Sequence, residues 1–114
     1  MKKFTLACDL KNDPGLIAEY EAYHRAVWPE VLQSLTDSGI LRMEIFRTGN
    51  RLNMQIETTD DFSFERKAAM DLANPKVQAW EKIMWGFQDQ LPHAPEGVKW
   101  VLMEKIFDTG NAPA

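Results

Sequence analysis

The chain has 114 residues and a formal net charge of −4. This length predicts one soluble domain, and the acidic balance argues against nucleic acid and membranes as partners, because both favour basic surfaces. The apolar runs are too short for a membrane span or a signal peptide, and a lone cysteine, Cys8, allows no internal disulfide, so we expect a cytoplasmic protein.

The first third of the chain predicts one strand and two helices. Residues 4–8 are typical of a strand, in which Cys8 would be a small buried side chain. Asp13 followed by a proline is typical of a helix start, and an apolar period of 3.6 residues then continues to about Val27. A proline inside a helix removes a hydrogen bond, so we predict a second helix that begins at Pro29 and closes at Gly39.

The middle of the chain predicts a hairpin followed by a helix. Residues 40–47 and 52–57 alternate between apolar and polar side chains, on either side of a turn at 48–50. Residues 62–72 predict a helix, and the polar residues 58–61 before it are expected to cap its free amides.

The last third predicts a helix, a loop and a strand. The pair at 74–75, asparagine then proline, repeats the helix-start pattern. Two prolines and a glycine in residues 91–97 predict a loop, and residues 98–107 are typical of a strand. We expect residues 1–108 to form the domain and residues 109–114 to be a loose tail.

The predicted element order is β-α-β-β-α-β, which is typical of the ferredoxin-like α+β fold. Its helices cover one face of an antiparallel sheet and leave the other face open. We expect a second copy of the chain to cover the open face, which would give a homodimeric α+β barrel. Seven apolar residues are available to the two faces: Phe4, Leu6, Ile45, Met54, Ile56, Val101 and Met103.

Polar aromatic side chains are concentrated in residues 20–30. Tyr20, His24 and Trp28 recur every four residues, so a phenol, an imidazole and an indole would share one helix face. Such a stripe is more often ordinary core packing than a site. Small apolar neighbours already supply packing here, however, and the break at Pro29 can shape a pocket wall. The segment therefore also fits a site for a small polar ring such as a sugar.

Several kinds of chemistry lack the residues that they need. His24 and His93 are far apart and no cluster has metal-ligand spacing, so we predict no metal site. A phosphate-binding glycine loop and a serine nucleophile motif are also missing, so no organic cofactor is expected. Acid–base chemistry remains, with His24 as proton carrier and Tyr20 beside it. Candidates for an assisting carboxylate are Glu30, Glu57 and Glu104.

Trp80 and Trp85 form a second aromatic group. Either one taken alone is more often part of a core or a dimer interface than of a site. The two side chains point about 140° apart on a helix, so only one of them can face a given pocket directly.

Three segments resemble the L-rhamnose mutarotase family: residues 24–30 (HRAVWPE) with Tyr20 one turn earlier, residues 77–84 (VQAWEKIM) and residues 102–107 (LMEKIF). The resemblance extends over nearly the whole chain. It implies a cytoplasmic, cofactor-free isomerase that interconverts the α and β anomers of a deoxy sugar, and it also implies the dimeric α+β barrel.

The resemblance assigns roles to single residues. The family's catalytic histidine and tyrosine fall on His24 and Tyr20, and its first pocket tryptophan falls on Trp80, which would stack on the sugar. Trp28 and Trp85 are further candidates for substrate binding.

The chain departs from the rhamnose pattern at two positions. Glu81 stands where the rhamnose enzymes typically carry a second tryptophan, and Lys105 stands where they usually carry an acidic residue. Both features resemble the L-fucose branch of the family. We therefore predict that Glu81 binds substrate and that L-fucose is preferred over L-rhamnose. A cofactor-independent monooxygenase of the same barrel type and a non-catalytic sugar-binding module are the alternative functions.

Overall fold

The computed structural model describes residues 1–110 of the chain; residues 111–114 of the predicted tail lie outside this part. No helix within it is long and apolar enough to cross a membrane. Its elements are β1 (Lys2–Leu10), α1 (Pro14–His24), α2 (Pro29–Asp37), β2 (Ile40–Thr48), β3 (Arg51–Thr58), α3 (Phe64–Leu72), α4 (Pro75–Trp85), β4 (Gln88–Asp89) and β5 (Val101–Leu102).

The strands form one antiparallel sheet in the order β2-β3-β1-β4, and β5 also pairs with β1. The β1–β3 ladder runs from Lys2 opposite Thr58 to Asp9 opposite Arg51. The β2–β3 hairpin turns at Gly49, whose φ of 56° suits a residue without a Cβ. This strand order confirms the predicted ferredoxin-like α+β class.

The break between α1 and α2 has a local cause. Asp13 caps α1 by accepting a hydrogen bond from the amide of Leu16 at 3.1 Å, as predicted. The helix ends at His24, three residues before the predicted end at Val27. Trp28, which precedes a proline, has an extended backbone (ψ 136°), because the proline ring disfavours helical geometry in the residue before it.

Two other helix starts test the capping predictions. Asn74 caps α4 through the amides of Lys76 and Val77, as the asparagine–proline pair predicted. The prediction for α3 was wrong, because the cap is Ser63 rather than a residue of the segment 58–61. Serine accepts from the amide three residues later, so α3 begins two residues after the predicted start.

The predicted last strand is the largest error. Only Val101 and Leu102 of residues 98–107 form a strand, and one further hydrogen bond joins the Met103 amide to the Thr5 carbonyl at 2.7 Å. A strand needs a neighbouring backbone as well as an alternating sequence, and residues 104–107 have no neighbouring strand in the described chain. They leave Ile106 93% exposed.

The two faces of the sheet differ in polarity. Glu44, Phe46, Asn53 and Gln55 point away from the helices, so the open face is mostly polar. The sequence did not assign the seven apolar residues to one face or the other, and the structure places most of them under the helices. Leu6, Ile45, Met54 and Ile56 line the space under the helices, and Phe4 packs there against Phe62 and Phe64.

Candidate active site

A cavity of about 590 Å³ lies between the sheet and the helices. All four helices and the strands β1–β4 contribute to its walls. Its volume falls within the range of about 300–1,000 Å³ that is usual for small-molecule sites. Most of its lining is apolar, and the polar side chains among the lining residues are Tyr20, His24, Ser34, Lys67, Glu81 and Gln88.

The last turn of α1 places Tyr20 and His24 together on the cavity wall. Their ring centroids are 4.3 Å apart. The Nδ1–H of His24 donates a hydrogen bond to the backbone carbonyl of Tyr20 at 2.9 Å. A carbonyl oxygen can only accept, so this bond fixes the hydrogen of the neutral imidazole on Nδ1. The lone pair is then on Nε2, which can take a proton from a substrate.

The hydroxyl of Tyr20 is suited to donating a hydrogen bond and not to acting as a base. Its side chain is only 3% exposed. Burial raises the pKa of the phenol above its ordinary value, and the neighbouring Gln88 side chain opposes this only in part. The hydroxyl therefore keeps its proton at neutral pH.

Trp80 on α4 brings the aromatic residues of the site together. It is 5% exposed, and its ring centroid lies 5.7 Å from that of His24 and 5.3 Å from that of Trp28. Trp28 lies beyond the end of α1, so the predicted stripe does not follow a single helix. Trp28 contacts Trp80 without lining the cavity, whereas Tyr20, His24 and Trp80 all line it.

Glu81 follows Trp80 and also lines the cavity, where it is held by a lysine. Its Oε2 lies 2.5 Å from Nζ of Lys99, whose side chain is only 9% exposed. The same ammonium lies 4.7 Å from the ring centroid of Trp85. Trp85 itself is exposed and outside the cavity lining, so Trp80 is the tryptophan of this pair that faces the cavity.

The remaining candidates lie elsewhere. His93 is exposed in the loop after β4. Glu81 is the carboxylate among the cavity-lining residues, which do not include Glu30, Glu57 or Glu104. Within residues 1–110, no group of three histidine, cysteine, aspartate or glutamate side chains is placed to hold a metal ion.

Gln88 was not predicted as a site residue from the sequence. This residue is buried, lines the cavity and contacts Tyr20 through its side chain. It belongs to a strand of two residues, which is too short to show any periodicity. A polar residue directly after the apolar stripe of α4 was the available signal, and it is a weak one.

The chain is similar in sequence to known mutarotases. The profile of a family described as L-rhamnose mutarotase matches residues 3–109. An L-fucose mutarotase from Xanthomonas campestris pv. campestris is 44% identical over 114 residues, which cover 98% of this chain and 91% of that protein.

Two solved structures share the fold. An L-rhamnose mutarotase from Formosa agariphila superimposes with a TM-score of 0.70 at 22% identity, over 95% of this chain and 98% of the other. A dimeric ferredoxin-like protein from an uncultured marine organism has a TM-score of 0.51 at 12% identity, over 93% and 90% of the two chains.

Proposed function

The chain belongs to the L-rhamnose mutarotase family, and from this premise we propose that it interconverts the α and β anomers of L-fucose in preference to those of L-rhamnose. Proteins of this family are isomerases. The observation that carries the assignment of the site is the Tyr20–His24 pair, which lies on the wall of a cavity of suitable size with a defined imidazole tautomer.

Ring opening needs one proton to leave the anomeric hydroxyl and one to reach the ring oxygen. Nε2 of His24 takes the proton of the anomeric hydroxyl, and the C–O bond to the ring oxygen breaks with its electron pair going to that oxygen. The imidazolium then gives its proton to the ring oxygen, which leaves an open-chain aldehyde. Because both oxygens are bonded to the anomeric carbon, one imidazole can serve both.

Reclosure on the other face of the aldehyde reverses these proton transfers and gives the other anomer. The Tyr20 hydroxyl donates a hydrogen bond to the oxygen that gains negative charge, because burial keeps the phenol protonated. Trp80 supplies a flat wall for the C–H face of the sugar. The apolar lining of the cavity accommodates the methyl group at C6.

Glu81 supports the preference for L-fucose. L-Fucose and L-rhamnose differ in the orientation of ring hydroxyls, and the Glu81 carboxylate is an acceptor that a tryptophan at this position would lack. A hydrogen bond between a substrate hydroxyl and a charged acceptor is worth about 1–3 kcal/mol, which corresponds to a preference of roughly tenfold to hundredfold. The relative that is 44% identical is named an L-fucose mutarotase, which supports L-fucose as the substrate of this chain.

We also propose that the reaction takes place in the cytoplasm and uses no metal or organic cofactor. The mechanism above requires only proton carriers. Cys8 is fully buried, and burial raises the pKa of its thiol to about 12, so Cys8 does not supply a thiolate nucleophile at neutral pH. Activity that is lost on chelation and restored by a divalent ion would contradict this part of the proposal.

We further propose that the protein forms a homodimer. Residues 103–107, which follow β5, expose Met103, Ile106 and Phe107, and Phe46 is exposed on the open sheet face. A second copy that packs on this side would bury these side chains. Sedimentation at micromolar concentration should give twice the chain mass of 13.1 kDa.

A matched pair of variants tests the location of the interface. Changing both Ile106 and Phe107 to lysine should shift the equilibrium towards monomer, because charge would be placed in the interface. Leu72→Lys, at an exposed leucine on α3, should leave the dimer intact. If the wild-type protein were a folded monomer, the proposed dimeric barrel would be wrong.

Anomer exchange tests the function directly. Saturation transfer between the anomeric protons should show acceleration for L-fucose, with L-rhamnose at least about tenfold slower. D-Fucose is the matched control, because as the mirror image of L-fucose it has the same uncatalysed rate. Equal rates for L-fucose and L-rhamnose would overturn the substrate preference. If the protein bound the sugar without accelerating exchange, it would be a non-catalytic sugar-binding module instead.

A further inference from the structure

Gln88 is a polar side chain whose hydrogen bonding is incomplete. It lies on β4, is 4% exposed and lines the cavity. Its carbonyl oxygen Oε1 is the one buried side-chain nitrogen or oxygen in the described part of the chain that has no hydrogen-bond partner. Leaving a buried acceptor unsatisfied costs about 1–3 kcal/mol, so Oε1 would gain from a donor that a ligand brings into the cavity.

The amide of Gln88 lies next to the Tyr20 hydroxyl. It acts on the phenol in the sense that lowers its pKa, as an amide N–H directed towards the phenol oxygen does. Both side chains line the cavity. The Tyr20 hydroxyl and Oε1 of Gln88 are therefore a donor and an acceptor on neighbouring side chains of the same wall.

We propose that Gln88 is a substrate-binding residue that determines sugar specificity, and that its Oε1 accepts a hydrogen bond from the hydroxyl at C2 of the sugar. This inference rests on the proposed function. Tyr20 binds an oxygen attached to C1, and Gln88 contacts Tyr20, so the acceptor lies near the neighbours of C1. L-Fucose and L-rhamnose have opposite configurations at C2, so a contact there discriminates between them.

The test combines one substitution in the protein with the removal of one hydroxyl from the sugar. Gln88→Met keeps a similar length and volume but cannot form a hydrogen bond, and 2-deoxy-L-fucose lacks the hydroxyl in question. The wild-type protein should accelerate exchange of 2-deoxy-L-fucose at least about tenfold less than that of L-fucose, each measured against its uncatalysed rate. Gln88→Met should lose about tenfold on L-fucose and at most a small factor on 2-deoxy-L-fucose.

A structural role would give a different result. Gln88→Met that slows both sugars equally would act through Tyr20 or through folding and would overturn the inference. Gln33→Met, at an exposed glutamine on α2, is the control and should change neither rate. Wild-type protein that treats both sugars alike would overturn the inference even if no variant folds. Wild-type protein that accelerates no sugar would overturn the proposed function, and the inference with it.

Discussion

Removal of the imidazole of His24 should stop the reaction without unfolding the protein. His24→Ala loses the hydrogen bond to the Tyr20 carbonyl and the ring contacts with Tyr20 and Trp80. Each of these three contributes about 0.5–1.5 kcal/mol, so we expect the free energy of unfolding to fall by about 1.5–4.5 kcal/mol. The free energy of unfolding of most domains is about 5–15 kcal/mol, so the variant should remain folded.

The expected effect on catalysis is larger. Proton transfer by a positioned side chain is typically worth 10² to 10⁴ in rate, which is about 2.7–5.4 kcal/mol of activation free energy. We therefore expect His24→Ala to slow exchange of L-fucose anomers at least about a hundredfold. Tyr20→Phe keeps the ring and removes only the hydroxyl, so the loss should be smaller, on the order of tenfold.

The assay is saturation transfer at several protein concentrations, with far-ultraviolet circular dichroism to verify folding. His93→Ala is the matched control, because His93 is an exposed histidine outside the cavity, and its rate should equal that of the wild type. A folded His24→Ala protein with wild-type exchange would refute the proton-transfer role. A large loss of exchange rate in His93→Ala would indicate that the site lies in the loop after β4.

Two further predictions concern stability. Gly39→Ala should lower the free energy of unfolding by about 1–3 kcal/mol in urea titration, because φ is 97° there and a Cβ would lie 2.7 Å from Oγ1 of Thr59; Gly49→Ala, in open space, should cost less. Above pH 10 the unfolded state ionises its tyrosines while buried Tyr20 stays protonated, so stability should fall as the pH rises and Tyr20→Phe should flatten this fall. An alkaline slope that is the same in Tyr20→Phe would assign it to other groups.

Features with a local cause could be predicted from the sequence. The caps at Asp13 and Asn74, and the break at Pro29, follow from interactions between residues at most four positions apart. The central strands followed from alternation, and the pairing of Tyr20 with His24 followed from helical spacing. These predictions need no knowledge of what the chain packs against.

Features that depend on distant partners could not be predicted. The alternation in residues 98–107 indicates a strand, but only a neighbouring backbone decides where pairing stops, and in the described chain it stops near Met103. Gln88 enters the site because β4 pairs with β1, which is a contact across about 80 positions of sequence. The ion pair of Glu81 with Lys99 is likewise set by the loop that returns to α4.

That ion pair limits how the substrate preference can change in evolution or by design. If tryptophan replaced Glu81, the ammonium of Lys99, in a side chain only 9% exposed, would lose its carboxylate. A buried charge without its partner is destabilising, so the single substitution carries a cost that has nothing to do with the sugar. Position 99 must change first or together with position 81. The two positions are therefore epistatic. A library that varies position 81 alone would lose the tryptophan variants because they fold poorly, and not because they fail to bind the sugar.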